Sequence, residues 1–387
     1  MVEWLLLLLP VAAASGWLAG RRSAESAHGS SHSQLNSAYF AGLNYLLNEQ
    51  PDKAIDTLLD VLEVDSDTVE PHLALGNLFR RRGEVGRAIR VHQNLIEKPC
   101  LSSLQREQAL LELGLDYMRA GMLDRAESLF LEALKRKSHV GTALRQLLDI
   151  YQQEKNWSQA IAIAQQLHEE SGEATGPMIA HFYCELAEQR WARKQIMEAA
   201  QFIKQALASD WRCVRATLLQ AHLAMEQSDY KMAIRCLRRV EGQDPDYLPE
   251  ILKPLSECYQ GLDRQDEFFS WLAEALERHP GCTPLILAQA ASLRRQGEPE
   301  KSRRFLLEQL RQYPSVEGLQ QLLALGVPKD IEAASEPWSL IEEVTRHLLK
   351  AKSSYACCFC GFSGKYCYWQ CPGCKRWGTV KPFAGNT

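Results

Sequence analysis

The sequence predicts an all-α fold, in which a superhelix of repeated helix pairs follows an N-terminal transmembrane helix and precedes a small C-terminal four-cysteine module. Three observations predict it. The first is an uncharged stretch of 17 residues near the N-terminus. The second is a pattern of small, large and alanine residues that recurs about every 34 positions. The third is a pair of C-x-x-C motifs close to the C-terminus.

Composition places the chain among ordinary globular proteins. It has 387 residues, of which 46% are hydrophobic and 24% charged, so it has enough apolar residues to bury a large core and is not of the disordered class. The net charge of −4 is unevenly spread, because from Val344 to the end there are seven Lys or Arg and no Asp or Glu. These basic residues either offset the charge of a thiolate-bound ion or take part in binding, and both interpretations stay open.

The uncharged stretch covers residues 4–20. As a helix it would be about 25 Å long, near the lower limit for crossing a bilayer core. Arg21 and Arg22 follow it, so the positive-inside rule places the N-terminus outside and the rest of the chain in the cytoplasm. A cleavable signal peptide is the alternative, but no Lys or Arg precedes the apolar run. We therefore predict an uncleaved anchor over residues 1–20 and a flexible tether over residues 21–34.

The repeats are recognised by three columns: a small residue, a large residue three positions later and an alanine twelve positions later. Successive copies are 34 to 39 residues apart, which is the tetratricopeptide period. Small residues let two antiparallel helices approach closely, and the large ones fill the groove between neighbouring pairs. The copies are Gly42, Tyr45, Ala54; Gly76, Phe79, Ala88; Gly114, Tyr117, Ala126; Leu148, Tyr151, Ala160; then, more weakly, Ala187 and Ala199, Ala221 and Ala233, Ser256 and Tyr259, Ala290 and Leu293.

This pattern predicts about eight tetratricopeptide repeats and a capping helix over residues 35–326, with longer loops near residues 98–103 and 172–177. Such arrays commonly bind an extended peptide or a partner helix. The sequence has no Walker loop, no G-x-G-x-x-G after a strand, no H-E-x-x-H and no G-x-S-x-G. We predict no catalytic and no cofactor-binding residues in the repeats, and the chain is not expected to be an enzyme.

The C-terminal cysteines are spaced C-x2-C-x10-C-x2-C, which predicts a tetrahedral metal site formed by Cys357, Cys360, Cys371 and Cys374. Each C-x-x-C lets two thiolates on one turn face one ion. We expect Gly361 after the first motif and the Pro-Gly pair within the second to allow the required bends. Reduced core cysteines or a disulfide framework are the alternatives, but the chain is neither short nor rich in cysteine throughout.

Eight further cysteines are given no metal role. Cys358 is a conceivable ligand in place of its neighbour, but the two-residue gap repeats in both motifs, so we leave Cys358 and Cys367 as free thiols. Single cysteines in the helical part act as small hydrophobic residues: Cys100, Cys184, Cys213, Cys236, Cys258 and Cys282. Tetrahedral thiolate suits both iron and zinc, so spacing alone does not identify the metal.

A linker over residues 327–353 contains a helix that we predict from Ser339 to Lys350, opened by a capping box of Ser339 and Glu342. The module over residues 354–387 is too small to fold alone. Metal binding would supply its folding free energy, so we expect it to unfold without the ion.

Two motifs carry a family resemblance: Cys357-x-x-Cys360-Gly361-Phe362, and Trp-x-Cys371-Pro-x-Cys374-x-x-Trp after it. Together with the anchor and the repeats, they resemble the lipopolysaccharide assembly protein B family of Gram-negative bacteria, with its rubredoxin-like end, over nearly the whole chain.

The resemblance implies an inner-membrane protein facing the cytoplasm that regulates lipid A synthesis by promoting degradation of the deacetylase LpxC by the membrane protease FtsH. It also implies that the four cysteines hold the metal, favours iron over zinc, and suggests that the module packs on the repeats. The thiols of Cys358 and Cys367 and the extension over residues 384–387 depart from the family pattern.

The resemblance thus predicts a membrane-tethered adaptor protein, and two other functions are alternatives to it. A tetrathiolate site also suits electron transfer by a rubredoxin-type centre. Basic residues beside aromatic ones are found in nucleic-acid-binding zinc ribbons, although we expect no nucleic acid here. Which repeat surface binds which partner is open, as is self-association into a homo-oligomer.

Overall fold

The computed structural model describes residues 39–45, 47–48, 50–64, 68–99, 101–325, 341, 343–349 and 353–382. The predicted anchor, the tether, Cys100 and the predicted capping box at Ser339 and Glu342 lie outside these residues. Within them, no helix is both long enough and apolar enough to cross a membrane.

The described chain is mostly helical, and its helices follow one another in pairs. After helical residues 39–45, the α-helices are Pro51–Val64, Val69–Arg81, Val85–Ile96, Ser103–Arg119, Leu123–Lys135, Val140–Gln153, Trp157–Ser171, Gly176–Ala192, Ile196–Ser209, Val214–Glu226, Tyr230–Gln243, Leu248–Gly261, Gln265–Arg278, Thr283–Arg295, Pro299–Gln312 and Val316–Ala324, with a 3-10 helix at Pro245–Tyr247. Val316–Ala324 corresponds to the predicted capping helix. Residues 341 and 343–349 are also helical and lie within the helix predicted from Ser339 to Lys350.

Contacts divide the chain into two compact units. The N-terminal unit runs to Asn156 and includes Glu169–Gly172, and the C-terminal unit comprises Trp157–His168 and Glu173 onward. One core cluster of the N-terminal unit contains Leu58, Phe79 and Ala88. One core cluster of the C-terminal unit is built on the helices from Val214 to Leu285.

The small-residue column does what its pattern predicts in the N-terminal unit, where each glycine faces a bulky side chain of the helix that follows. The facing residues are Leu58 for Gly42, His92 for Gly76 and Phe130 for Gly114. A Cβ atom on Gly76 would lie 2.3 Å from His92 Nε2, and one on Gly114 would lie 2.7 Å from Phe130 Cε1. No larger side chain fits there unless the facing side chain shifts. The alanine column is fully buried at Ala54, Ala88 and Ala126.

One of the two predicted long loops is present, and the other is shorter than predicted. Residues 97–99 and 101–102 lie between two helices, and Ser102 and Gln105 form a reciprocal capping box at the start of the second. The second loop covers only residues 172–175, because Gly176 and Pro177 already belong to the next helix. Proline is well tolerated in the first turn of a helix, where its missing N–H is not needed.

The C-terminal module is a small antiparallel sheet with two cysteine-bearing turns. Its strands are β1 (Tyr355–Cys357), β2 (Ser363–Gly364) and β3 (Val380–Pro382), in the order β2-β1-β3. Tyr355 pairs with Gly364 on one side and with Pro382 on the other. The predicted fold class is therefore confirmed for the helical repeats with a small C-terminal cysteine module.

Candidate metal centre

The first cysteine turn is closed by two backbone hydrogen bonds around Cys357. Its N–H donates to the carbonyl of Phe362 at 2.7 Å, and the N–H of Gly361 donates to the Cys357 carbonyl at 3.1 Å. Gly361 has φ +74°, in the left-handed region where glycine is unstrained. The prediction that Gly361 provides this bend is confirmed.

The second turn repeats the same two bonds around Cys371. Its N–H donates to the Arg376 carbonyl at 2.8 Å, and the Lys375 N–H donates to the Cys371 carbonyl at 2.9 Å. Lys375 has φ +60° and occupies the left-handed position. The predicted Pro-Gly pair lies within this turn, at residues 372–373, but the left-handed residue is Lys375 rather than the glycine. Gly373 serves another purpose, because a Cβ atom there would lie 3.3 Å from Cys360 Sγ, so glycine leaves room for the sulfur atoms.

The two turns bring four sulfur atoms together. The distance is 3.8 Å between Cys357 Sγ and Cys374 Sγ and 3.6 Å between Cys360 Sγ and Cys371 Sγ, and all four sulfurs lie within 4.8 Å of one another. Four thiolates at about 2.3 Å from a tetrahedral ion would be about 3.8 Å apart. The donor set and its spacing therefore fit one tetrahedral ion, and soft thiolate ligands suit iron and zinc equally.

The two cysteines of the first C-x-x-C motif, Cys357 and Cys360, have different thiol pKa values. Burial raises the pKa of Cys357, but the Thr379 hydroxyl, 3.3 Å from its Sγ, and nearby backbone N–H groups outweigh burial and bring it to about 6. The backbone N–H of Phe362 lowers the pKa of Cys360, but burial and three neighbouring thiols outweigh it and raise that pKa to about 11. An ion binds the thiolate form, so its binding must displace the proton of Cys360.

The remaining cysteines stand apart from the sulfur group. Cys358 is exposed and is not one of the four cysteines whose sulfur atoms come together. Cys367 is half-buried against the core of the repeats, and burial together with Glu250 raises its pKa to about 12. The described cysteines of the helices are buried or half-buried without disulfides: Cys184, Cys213, Cys236, Cys258 and Cys282.

The module lies against the helices of its own unit through two tryptophans. The Trp377 ring stacks on His181 with centroids 5.2 Å apart, and meets Trp157 and Phe182 edge-on at 5.9 and 5.7 Å. His181 is buried, and burial with the nearby Arg215 charge lowers its pKa to about 3, so the imidazole in this contact is neutral.

The second tryptophan covers a neighbouring part of the same surface. Trp369 stacks on Tyr247 with centroids 5.7 Å apart, and the guanidinium of Arg215 lies 5.8 Å from its ring. The buried Tyr247 hydroxyl donates a 3.0 Å hydrogen bond to the carbonyl of Val380 in β3. Arg215 itself is 3% exposed and is held by Glu185 and Glu188 at 2.8 and 2.9 Å.

Charged groups surround this apolar contact. Lys381 lies 2.8 Å from Asp244 and 2.9 Å from Asp246, and the Tyr355 hydroxyl donates a 2.6 Å hydrogen bond to Glu250. Sequence reasoning did not identify these contact residues on the repeats. The sequence indicated only that a basic module is joined to an acidic chain, which does not identify individual contact residues.

Comparison with known proteins identifies the family. Models of the tetratricopeptide repeat match residues 111–174 and 72–102. The chain is 38% identical over 386 residues to lipopolysaccharide assembly protein B of Escherichia coli strain K12, covering 100% of this chain and 99% of that protein. The chain belongs to the lipopolysaccharide assembly protein B family. The relative of that name in Haemophilus influenzae is 35% identical over 395 residues, with 100% and 99% covered.

Solved structures similar to this member of the lipopolysaccharide assembly protein B family are more distant. Naa15/Naa10 bound to HypK-THB has a TM-score of 0.41 at 15% identity, covering 82% of this chain and 46% of that one. A tetratricopeptide repeat protein from Parabacteroides merdae has a TM-score of 0.32 at 16% identity, covering 72% and 98%. The predicted family is thus confirmed by the two full-length relatives.

Proposed function

We propose that this chain is a membrane-tethered adaptor that regulates lipopolysaccharide synthesis and assembly and has no catalytic activity of its own. The observation that carries the proposal is the similarity to proteins named lipopolysaccharide assembly protein B over the whole chain, repeats and cysteine module together. Repeat arrays of this kind commonly bind other proteins. The specific action we propose is to promote proteolysis of the lipid A pathway deacetylase LpxC by the protease FtsH.

The proposed location is the inner membrane, with a single anchor over residues 1–20, the N-terminus in the periplasm and the rest in the cytoplasm. The uncharged stretch followed by Arg21 and Arg22 supports this topology. The tether over residues 21–34 would hold the repeats (35–326), the linker (327–353) and the module (354–387) close to membrane-bound partners. Confinement raises the effective concentration, so individually weak contacts suffice.

We further propose that Cys357, Cys360, Cys371 and Cys374 bind one metal ion, iron rather than zinc. The sulfur separations of 3.6 and 3.8 Å support a tetrahedral ion. The ion would join the two cysteine turns and supply folding free energy on the order of 10 kcal/mol. Metal analysis of reduced, tag-free protein tests this: one equivalent of iron with a red colour is expected, one equivalent of zinc in colourless protein would correct the metal, and no stoichiometric ion would refute the site.

The contact between module and repeats suggests why an adaptor needs the ion. Trp369 and Trp377 cover aromatic side chains of the helices, including Trp157 and Phe182. If the module unfolds, these apolar side chains are exposed to solvent and the module's own surface is lost. The binding surface of the adaptor would thus consist of helices and module together.

Affinity capture from intact membranes tests the adaptor role. We expect the native chain to capture the protease and the deacetylase, and a Cys371→Ala, Cys374→Ala double variant to lose them while cellular LpxC rises. Cys358→Ala is the matched control, because this thiol is exposed and outside the sulfur group. Equal capture by the double variant would refute a role for the module, and intact regulation after deletion of residues 1–20 would refute the anchored mechanism.

Electron transfer is a second candidate, because Cys360 is exposed and would bring a redox partner close to the ion. A metal that stays redox-silent across accessible potentials would eliminate it.

A further inference from the structure

Neither the metal site nor the family similarity assigns a role to a polar cleft in the N-terminal unit. Its volume is about 650 Å³, and it lies along three helices, Val69–Arg81, Ser103–Arg119 and Val140–Gln153. Arginines and glutamines dominate its lining: Arg80, Arg81, Arg119, Gln146 and Gln153, with Leu115 and Met118 between them. No Asp or Glu is among the described residues that line it.

Three of these side chains occupy one position of the repeat. Five positions after the residue that begins the three-column pattern of its repeat, each of three repeats has one of these side chains: Arg81, Arg119 and Gln153. Equivalent positions on neighbouring helices form a row, and packed helices are about 8–10 Å apart. An extended chain advances about 3.3 Å per residue, so neighbouring positions of the row would meet residues about three apart in a bound segment.

One of the three arginines of the cleft is neutralised by neighbouring carboxylates, and the other two are not. Arg80 is held by Glu112 at 2.7 Å and Asp116 at 2.8 Å, so its guanidinium is fixed and its charge is balanced. The side chains of Arg81 and Arg119 make no hydrogen bond or ion pair within the part of the chain that the structure describes, and both are exposed. Two unpaired cations therefore occupy neighbouring positions of the row.

We propose that this cleft binds an extended acidic segment of a partner protein, whose carboxylates, about three residues apart, are held by Arg81 and Arg119. Arginine binds carboxylate through two parallel hydrogen bonds, so the pair selects acidic side chains by geometry as well as charge. The side-chain amides of Gln146 and Gln153 can both donate and accept hydrogen bonds, and the backbone of an extended segment offers partners for both. Leu115 and Met118 give an apolar contact between the two cations.

A short acidic segment fits this site better than a membrane surface or a nucleic acid. The chain carries −4 overall although its last residues from Val344 are basic, so the part that contains the repeats is strongly acidic. A long polyanion would meet that negative field, whereas a short segment meets only the local arginine row. The inference rests on the proposed adaptor function and adds the chemistry of the segment that the repeats bind.

Fluorescence anisotropy on the full-length chain in lipid nanodiscs tests the proposal. The probe is a labelled ten-residue Gly/Ser peptide with glutamate at every third position, compared with the same peptide carrying glutamine. We expect the glutamate peptide to bind at least about tenfold more tightly than the glutamine peptide, and added salt to weaken it. An Arg81→Gln, Arg119→Gln double variant should lose about tenfold or more in affinity.

The matched control is an Arg90→Gln, Lys135→Gln double variant, which removes the same charge at exposed positions outside the cleft and should bind as the native chain does. An Arg81→Lys, Arg119→Lys variant keeps the charge and should retain part of the affinity, which separates lost recognition from lost folding. Absence of binding at millimolar peptide, equal binding of the glutamine peptide, or equal loss in the control variant would each overturn the proposal. If the Arg81→Gln, Arg119→Gln variant still captures the protease and deacetylase from membranes, the adaptor role stands and the arginine site does not.

Discussion

Replacing Trp377 with alanine should release the cysteine module from the helices while leaving both folded. Trp377 meets three aromatic rings, those of His181, Trp157 and Phe182, at centroid distances of 5.2 to 5.9 Å. It contributes no sulfur ligand, and the backbone bonds of the second cysteine turn do not involve its side chain. The variant therefore tests the contact between module and helices separately from the metal site.

The structure sets the size of the effect. An aromatic pair contributes about 0.5–1.5 kcal/mol beyond the burial of its surface, so three pairs contribute about 3 kcal/mol. Each 1.4 kcal/mol changes an equilibrium constant about tenfold, so the detached population should rise about a hundredfold. Trp369 and the Lys381 ion pairs remain in the variant, so detachment is expected to be partial.

Alkylation of Cys367, resolved by mass spectrometry, reports this population. In the attached state Cys367 is half-buried against the helices, and burial with Glu250 raises its pKa to about 12, so almost no thiolate is available. Detachment exposes the thiol and returns its pKa towards the ordinary range. When attachment and detachment are fast, the labelling rate follows the detached fraction, and it should increase about a hundredfold in Trp377→Ala.

Two controls make the result decisive. Cys358 is exposed in the attached state, so its labelling should not change. Trp211→Ala removes a tryptophan that is 64% exposed in a loop between two helices and makes no ring contact with the described residues of the module. It should leave Cys367 protected. Unchanged Cys367 labelling in Trp377→Ala would show that this side chain does not hold the module in place.

Three other predictions follow from the same unit. In calorimetry of metal-loaded protein, Lys375→Gly should stabilise the module by about 1 kcal/mol and Gly361→Ala should destabilise it by about as much, because both positions have left-handed backbone. Acid should detach the module, because the pKa of His181 is about 3 in the attached state and near 6.5 once the imidazole is exposed. The free energy of attachment should therefore fall by about 1.4 kcal/mol for each pH unit below 6.5, measured by the labelling assay. His181→Phe should abolish this loss. Chelation, or the Cys371→Ala, Cys374→Ala variant, should remove the ion and the module's signals in NMR while circular dichroism keeps the helical spectrum, since the helices have cores of their own.

The repeats and the sulfur group could be predicted because both depend on local spacing. The glycine column at Gly76 and Gly114 follows from the close approach of two helices that are adjacent in sequence. The repeated two-residue gap was enough to select Cys357 rather than Cys358 for the sulfur group. In each case one physical constraint acts over fewer than about forty residues, and it leaves a pattern that can be counted.

The contacts of the module could not be predicted in the same way. Tyr247 and Val380 are 133 residues apart, and His181 is still further from Trp377, so no spacing rule connects them. A tyrosine and a histidine in repeat helices resemble any other residues of the core. The left-handed backbone at Lys375 was also missed, because it is imposed by the second turn's match to the first and not by a residue that favours it.

Folding of the module links metal binding to its attachment. With the proposed ion, folding of the module depends on metal binding and attachment depends on the folded module. On that proposal, the free energy of attachment adds to the apparent affinity for the metal. By this reciprocity, the loss of about 3 kcal/mol in Trp377→Ala should also lower metal affinity by about a hundredfold, although no ligand has changed. Competition with a chelator measures this directly, with Trp211→Ala as the control. Equal metal affinity in Trp377→Ala and the native chain would mean that the module holds its ion independently of the helices, and loss of metal would then not be transmitted to the binding surface of the adaptor.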